Sequence, residues 1–381
     1  KCWALNNSSV NERFVENSQP VRQHTTMMVH ERLIEPLCRG LGIGTTPRDI
    51  FDVLTSLGVW HKHENLNLHR YPYKWQFSAQ ELLHYAHLST LFGPSVTRDS
   101  SASQVCVDKD HAVRVDMRQQ CPLVVSVDNS TEQLEVDDAV SLEHVTGTEQ
   151  PWIWVHIADP SRCVTPNSAV DLLARERVSS IYLPERARDP ITMFPGPLIS
   201  NNFNLLHDHY NYALSFGIRL REDGQVDEYV IVPAIIPPVL KRTYALVDDW
   251  LQEDWVPHDT EQCMLHELYA LSQRRRAYRV RCGAAAGIDL PRAEISVRED
   301  SEHIDIDMVP EHESKSRALI SELMILVGDI TADFAKRHEI PIPYRSPVPD
   351  QPTKYTYCVR PPATPHSALA LPLYTQVTSP I

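Results

Sequence analysis

Residues 123–139, LVVSVDNSTEQLEVDDA, combine an apolar run with a dense group of acidic side chains. The apolar run, 123–127, is of the kind that forms a buried strand. A further strand-like segment begins at about Ala139. On or near the connection between them lie the acidic residues Asp128, Glu135, Asp137 and Asp138. The stretch therefore predicts two strands joined by an acidic connection.

These acidic residues are also the predicted metal ligands. In a regular strand Asp137 and Asp138 would point to opposite faces, so the backbone must bend if they are to act together. Crowded carboxylates repel one another unless a proton or a cation neutralises them. An oxygen-only ligand set suits Mg²⁺ or Mn²⁺, and two such ions about 4 Å apart are the usual arrangement for phosphodiester cleavage. The alternative interpretation is an acidic surface loop.

The segments after this connection predict an α+β fold. Further strands are predicted at residues 152–157, 212–220 and 229–236, with a turn at 222–224. Long helices are predicted at residues 261–281 and 314–338. The second helix carries an apolar stripe, flanked by Arg317 and Glu322, that consists of Leu319, Leu323, Leu326, Ile330 and Phe334. Strands followed by long helices are typical of an α+β domain.

Short helices are predicted in front of this domain. Thr46 is a cap residue followed by proline, and the helix that it opens stops at Gly58. Ser78 and Glu81 form a capping-box pattern that opens another helix. With an earlier helix at about 25–41, these elements fit a compact helical module.

The predicted domain organisation has three parts. An N-terminal arm and helix occupy residues 1–44, and a winged-helix-like domain with a linker occupies residues 45–120. The α+β domain fills residues 121–381. Modules of the winged-helix type bind nucleic acid or mediate protein contacts, and the sequence leaves both roles open.

The composition is that of a folded, acidic protein. The 381 residues are 42% hydrophobic and 23% charged, and 50 acidic against 36 basic side chains give a formal net charge of −14. Taken alone, this balance argues against nucleic-acid binding, because phosphate contacts come from Lys and Arg. No apolar run approaches the ~18 residues that a membrane span needs, so we expect no membrane partner.

The cysteines carry no recognisable cofactor pattern. Eight cysteines without a CxxC pair exclude a disulfide scaffold and a zinc module, and they indicate a reducing compartment. Cys163 follows His156 and Asp159 closely, as in a thiol protease. We expect it instead to be a small buried hydrophobic residue.

Two charged patterns elsewhere have ordinary structural interpretations. The basic run 274–276, with Arg279 and Arg281, predicts a solvated helix face. Asp305 and Asp307 alternate with apolar residues, which predicts a strand whose aspartates face solvent.

An ordered series of short motifs resembles the RNase II (RNB) family of 3′→5′ exoribonucleases. Residues 128–138 are similar to the metal-binding signature of that family. The motifs that follow in family order are VHIADP (155–160), SIYLP (180–184), MFP (193–195), ALS (213–215), SELMIL (321–326), IPYR (342–345) and YTQVTSPI (374–381). The front motifs LGVW (57–60), HENL (63–66) and FS (77–78) resemble the mitochondrial members, including the degradosome exoribonuclease.

The resemblance implies a function and a set of site residues. It implies processive hydrolysis of single-stranded RNA to nucleoside 5′-monophosphates in mitochondria or another organelle, with Mg²⁺ (or Mn²⁺) held by the four acidic residues named above. Tyr182 would stack on a base near the 3′ end. Glu322 would lie near the terminal ribose, where a 2′-hydroxyl distinguishes RNA from DNA. Arg317 is a further expected RNA contact.

Departures from the family pattern leave a second hypothesis open. The spacer before Glu135 is one residue longer than usual, which places Asn129 rather than Asp128 at the first ligand position. The segment 352–366 is short, and the chain stops at Ile381, before the arginine pair and the RNA-binding barrel of the family. The alternative is a catalytically degenerate RNB protein that serves as a structural or RNA-binding subunit of a helicase complex or a ribosomal particle.

Overall fold

The structure is a computed structural model of the chain in two units, residues 1–77 and 78–381. It describes residues 36, 38–40, 42–44, 46–62, 64–66, 68, 77–92, 112–129, 135–184, 190–283, 292–297, 304–309 and 314–344. The predictions for the arm at 1–24, for the segment 352–366 and for the motif at 374–381 lie outside these residues.

Helix α1, Pro47–Ser56, lies in the first unit. Thr46 caps it as predicted: its hydroxyl accepts a hydrogen bond from the Asp49 N–H (3.2 Å), and the Asp49 carboxylate accepts one from the Thr46 N–H (2.9 Å). Gly58 follows the helix end with a φ of +68°, a conformation that glycine adopts without strain. The predicted start and stop signals of this helix are therefore confirmed.

A mixed sheet forms the centre of the second unit. Its strands are β1 Val115–Asp116, β2 Val125–Asp128, β3 Asp138–Glu143, β4 Trp152–Ala158, β5 Asn211–Leu220, β6 Val226–Ile236 and β7 Leu240–Thr243. Within the described residues they follow the order β1-β6-β5-β4-β3-β2-β7. The central pairs from β2 to β6 are antiparallel, whereas β1 pairs with β6 and β7 with β2 in parallel. The predicted strands and the α+β class are confirmed.

Helices cover one face of this sheet. The helices of the second unit are α2 Ala79–Phe92, α3 Ala169–Arg177, α4 Gly196–Asn202, α5 Tyr244–Trp250, α6 Thr260–Arg281 and α7 Lys315–Arg337, with a 3-10 turn at Pro160–Arg162 between β4 and α3. Apolar residues of α5, α6 and α7 pack against β2 to β5 in one core, and Trp154 lies in a second core on the opposite side. The predicted long helices match α6 and α7 within about two residues.

The cap signals of the helices also act as predicted. The Ser78 hydroxyl accepts a hydrogen bond from the Glu81 N–H, and the Glu81 carboxylate accepts one from the Ser78 N–H. The structure adds a cap that was not predicted: Ser314 Oγ accepts a hydrogen bond from the Arg317 N–H at the start of α7. The winged-helix organisation of residues 45–120 is not confirmed, because α1 belongs to the first unit while α2 belongs to the second and packs against α4.

The predicted solvated face of α6 is wrong for two of its arginines. Arg275 is buried and donates to Asp329 (2.8 Å), and Arg279 pairs with Glu322. The run 274–276 spreads around the helix, so part of it faces α7 rather than solvent. Cys163 is buried, as predicted for a small hydrophobic residue.

The second sheet pairs β8, Arg292–Val297, with β9, Ile304–Val309, in antiparallel orientation. The strand at 304–309 is as predicted, but the prediction of which side faces solvent is wrong. Asp305 is half-buried, whereas Ile295, Ile304, Ile306 and Met308 are exposed. No described element covers that apolar face, so alternation alone did not reveal which side packs.

Among the described residues, no helix combines the length and apolar character needed to cross a bilayer.

Candidate functional site: an acidic cluster at the ends of β2 and β3

The end of β2 and the start of β3 bring acidic residues together at one edge of the sheet. Val125 of β2 pairs with Val140 of β3. Continuing this antiparallel pairing places Asp128, the last residue of β2, level with Asp137, which directly precedes β3. Asp138 is the first residue of β3 and pairs with Ile157. The acidic residues Asp128, Asp137 and Asp138 therefore lie where β2 ends and β3 begins.

The electrostatics of the cluster are those of crowded carboxylates. Desolvation, together with the charges of Glu135 and Asp128, raises the pKa of Asp137 to about 6. Desolvation, together with the charges of Asp137 and Asp128, raises the pKa of Asp138 to about 6. Burial also raises the pKa of Asp128, although the Asn129 N–H and the nearby Arg317 oppose this effect. Each ionised acid thus disfavours the ionisation of its neighbours.

Glu135 is anchored by two hydroxyl groups. The carboxylate is buried and accepts hydrogen bonds from the Tyr182 hydroxyl and from Ser180 Oγ, the latter at 2.9 Å. Ser180 Oγ itself accepts a hydrogen bond from the Met193 N–H at 2.9 Å. The Tyr182 side chain remains 55% exposed, so its ring is held at the hydroxyl end while a face stays open to solvent.

Basic side chains border the acids on the β7 side. Arg317 Nη2, at the start of α7, donates to Asn129 Oδ1 at 2.7 Å, and its guanidinium lies 4.4 Å from the centroid of the Tyr244 ring. Lys241 of β7 pairs with Ser126 of β2 and is close enough to Asp128 for their charges to interact. Arg317 was predicted as a contact residue, whereas Lys241 was missed because no local pattern marks it.

The donor chemistry of the cluster fits a divalent cation, but the side chains do not form a coordination shell. The donors are oxygens only, and their mutual repulsion would be relieved by a positive ion. In the part of the chain that the structure describes, no three Asp, Glu, His or Cys side chains are arranged to hold one ion. The structure therefore brings the four predicted ligands within electrostatic reach of one another and leaves coordination as a prediction.

Glu322 is not part of this cluster in the structure. Its side chain is 3% exposed, and both carboxylate oxygens accept hydrogen bonds from Arg279 of α6, at 2.8 and 2.7 Å. Glu322 lies five positions after Arg317, which corresponds to about 140° around a helix. The two residues that flank the apolar stripe therefore point in different directions, one to the acids and the other to α6.

Comparison with known proteins identifies relatives for most of the chain. A family model described as the RNB domain matches residues 114–360. The chain is 32% identical over 351 residues to an uncharacterized ribonuclease of Synechocystis, covering 87% of this chain and 48% of that protein. It is 28% identical over 375 residues to the chloroplastic/mitochondrial ribonuclease II of Arabidopsis thaliana, covering 92% and 43%. The chain thus spans less than half the length of these relatives.

Solved structures share the fold. Mycoplasma genitalium RNase R in complex with double-stranded RNA superposes with a TM-score of 0.57 at 22% identity, covering 71% of this chain and 44% of that one. The apo form of the same enzyme gives a TM-score of 0.54 at 25% identity, covering 61% and 35%. The α+β core described above is therefore the fold of these structures.

Proposed function

Because the chain belongs to the RNB domain family, we propose that it is a ribonuclease that hydrolyses single-stranded RNA from the 3′ end and releases nucleoside 5′-monophosphates. The observation that carries this proposal is the burial of Asp137 and Asp138 close to Asp128: desolvation first, and then the charges of the neighbouring carboxylates, raise the pKa of both aspartates to about 6. Buried carboxylates this close to one another lower the stability of the fold unless a cation binds beside them.

The proposed metal ligands are the carboxylates of Asp128, Glu135, Asp137 and Asp138, with Mg²⁺ or Mn²⁺ as the ions. Divalent cations bound there would supply a nucleophile at neutral pH and offset the negative charge that develops on the phosphate. Glu135 is already oriented by Tyr182 and Ser180, so part of the ligand set is fixed before any ion binds. Asn129 is uncharged, and its amide oxygen accepts a hydrogen bond from Arg317.

The remaining side chains of the site suit a single strand of RNA. The exposed ring of Tyr182 offers a face on which a base near the 3′ end would stack. Arg317 and Lys241 place positive charge beside the acids, where a phosphate would otherwise be repelled. Glu322 remains a proposed ribose contact from the family resemblance, and it would need to exchange Arg279 for the ribose hydroxyl.

We further propose a role in organellar RNA turnover, in mitochondria or a related compartment. The similarity to the chloroplastic/mitochondrial protein of Arabidopsis supports this placement, while the similarity to a cyanobacterial protein is compatible with a plastid as well. The proposed partner is single-stranded RNA, and an RNA helicase or a ribosomal particle is the proposed macromolecular context.

A second candidate function is that of a degenerate RNB protein that binds RNA or a partner without cleaving. Two observations favour it: Asn129 is tied to Arg317, and the described acids do not form a coordination shell. Because the second candidate includes an RNA-binding protein, RNA binding alone does not separate the two, and hydrolysis is the measurement that does.

The test is release of labelled mononucleotide from single-stranded RNA labelled at its 3′ end, with and without Mg²⁺. We expect Mg²⁺-dependent release by the full-length protein, loss of release in Asp138→Asn, and RNA binding within about threefold of the parent in that variant. Asp305→Asn, on the separate β8–β9 sheet, is the matched control and should keep full activity. Persistent cleavage by Asp138→Asn would refute the ligand assignment, and no cleavage by the parent would favour the second candidate.

A further inference from the structure

The chain turns sharply at Val178, directly after the end of α3. Val178 has a φ of +68° and a ψ of −43°, and the Ser179 N–H donates to the Arg177 carbonyl oxygen at 2.8 Å. A hydrogen bond between residues two positions apart, around a residue with positive φ and negative ψ, is a γ-turn of the rare and strained form. Valine is poorly suited to this turn, because a β-branched residue with a positive φ is a steric outlier.

The side chain of Val178 does not compensate for this strain. It is 50% exposed, so burial of its methyl groups contributes little to stability. Strained backbone conformations persist only where the surrounding structure imposes them, and they concentrate at functional sites. The reason for the turn therefore lies in what the residues on either side of Val178 hold in place.

Both sides of the turn are tied to the segment 191–193. Before the turn, the buried Arg177 donates from Nη1 to the Thr192 carbonyl oxygen at 2.6 Å. After the turn, Ile181 exchanges two backbone hydrogen bonds with Ile191, at 2.8 and 3.1 Å. Because the chain is held on both sides, the fold imposes the strained conformation on the residue between them.

The residues that leave the turn are the ones that anchor Glu135 in the acidic cluster. The hydroxyls of Ser180 and Tyr182 both donate to its carboxylate. Rotation of φ at Val178 to the ordinary negative region would redirect the chain that follows it, since every later atom turns with that bond. Both hydroxyls would then leave Glu135.

From these contacts we propose that Val178 is a positioning residue of the site: its γ-turn directs Ser180 and Tyr182 onto Glu135 and so fixes the ring on which a base of the RNA stacks. The path of the backbone holds this ring in addition to the hydroxyl bond. The inference rests on the proposed function, because it takes Tyr182 as an RNA contact. It adds a residue that touches neither the RNA nor a metal ligand.

Two substitutions of Val178 test the turn itself. Glycine adopts a positive φ without strain, whereas alanine keeps the Cβ that causes it. At positions with negative φ glycine is the less stable of the two, so the order of their urea midpoints reports the sign of φ. We expect Val178→Gly to unfold at a higher urea concentration than Val178→Ala, and the reverse order would overturn the proposal.

Ser179→Pro breaks the turn while leaving Val178 unchanged. Proline lacks the N–H that closes the turn, and it forces the preceding residue towards extended backbone. In the full-length Asp138→Asn protein, we expect this variant to bind single-stranded RNA about fivefold or more weakly by fluorescence anisotropy. Ser179→Ala keeps the N–H and is the matched control, with an expected affinity within about twofold of the parent.

A double-mutant cycle separates positioning from a general loss of structure. In the Tyr182→Ala background, Ser179→Pro should weaken RNA binding by less than about twofold, because the ring that it displaces is already absent. An equal loss of affinity with and without the Tyr182 side chain would overturn the proposal. If Ser179→Pro folds poorly, the order of the two Val178 variants still decides.

A second cycle needs no RNA and therefore separates this inference from the proposed function. Tyr182→Phe removes a donor from the buried Glu135 carboxylate and should lower the urea midpoint of the parent. In the Ser179→Pro background the same substitution should leave the midpoint unchanged, and equal decreases in both backgrounds would refute the positioning role. A protein that shows this coupling but neither binds nor cleaves RNA would refute the proposed function alone.

Discussion

Arg279 of α6 holds Glu322 of α7 through two parallel hydrogen bonds, Nε to Oε1 at 2.8 Å and Nη2 to Oε2 at 2.7 Å. The Glu322 side chain is nearly inaccessible to solvent, while the Arg279 side chain is partly exposed to solvent. The pairing raises the pKa of Arg279, chiefly through these hydrogen bonds, so the guanidinium stays charged. A fork of this geometry fixes the relative rotation of two helices as well as their spacing.

Removal of Arg279 should therefore destabilise the fold. In Arg279→Met the buried carboxylate of Glu322 loses its partner, and we expect a loss of about 2–4 kcal/mol in the free energy of unfolding by urea titration. Arg281→Met is the matched control, because Arg281 is exposed and donates to the Asp223 carbonyl oxygen at the surface. Equal urea midpoints for the two variants would show that the buried pair contributes little.

Tyr182 should contribute to RNA binding through its ring. In the Asp138→Asn background, Tyr182→Ala is expected to weaken binding of single-stranded RNA by about 5- to 100-fold, since a base loses its stacking partner. Tyr182→Phe keeps the ring and loses only the bond to Glu135, so its affinity should stay within about threefold of the parent. Fluorescence anisotropy gives both values, and similar losses in the two variants would mean that the hydroxyl matters rather than the ring.

His156 makes stability depend on pH in a defined direction. It is fully buried between Ser141 Oγ (2.9 Å) and Ser215 Oγ (2.8 Å), and desolvation lowers its pKa from 6.5 to about 3. The folded protein thus keeps this ring neutral at pH values where the unfolded chain protonates it. Stability present above pH ~6.5 is lost as the pH falls towards about 3.

The expected slope is about 1.4 kcal/mol per pH unit below pH ~6 for this one group. His156→Gln cannot take up the proton, so the difference in unfolding free energy between parent and variant should shrink by that amount per unit as the pH falls. Urea titrations at a series of pH values measure this difference in unfolding free energy. The pH dependence contributed by the acidic groups is common to both proteins and cancels in the difference. A constant difference would mean that His156 is protonated in the fold.

Gly217 lies directly against the Trp154 ring on the neighbouring strand. A Cβ at this position would come within 2.6 Å of Trp154 Cη2, and β5 and β4 are already paired there. We expect Gly217→Ala to cost about 1–3 kcal/mol through overpacking. Gly196→Ala, where a Cβ meets no atom within 4 Å, is the control and should have little effect in the same thermal or urea measurement.

The elements that could be predicted are those whose signals are local. The bounds of α7 were predicted closely because an apolar stripe runs its length, and the structure shows that Ser314 caps its first turn. The turn at 222–224 was predicted from its residues, and Gly224 indeed adopts a φ of +87°. Both signals act between residues a few positions apart, where sequence spacing determines the geometry.

Contacts between distant segments could not be predicted in the same way. Arg279 and Glu322 were each noted, one as a surface residue and the other as a ribose contact, yet nothing in either segment reveals that α6 and α7 bring them together. Lys241 reaches the acidic cluster only because β7 pairs with β2. The exposed apolar face of β9 is a similar case, since alternation gives two faces and not the identity of the packed one.

The parallel pairing of β2 with β7 has a consequence for how the acidic cluster forms. Asp128 lies beside Thr243, more than about a hundred residues later in the chain, so a long loop must close before this edge is in place. During synthesis on the ribosome, the acids of residues 128–138 emerge well before their basic neighbour Lys241. A nascent chain halted before Leu240 would therefore expose the acidic edge without its neighbouring strand, and this part of the protein matures only after most of the sheet has been translated.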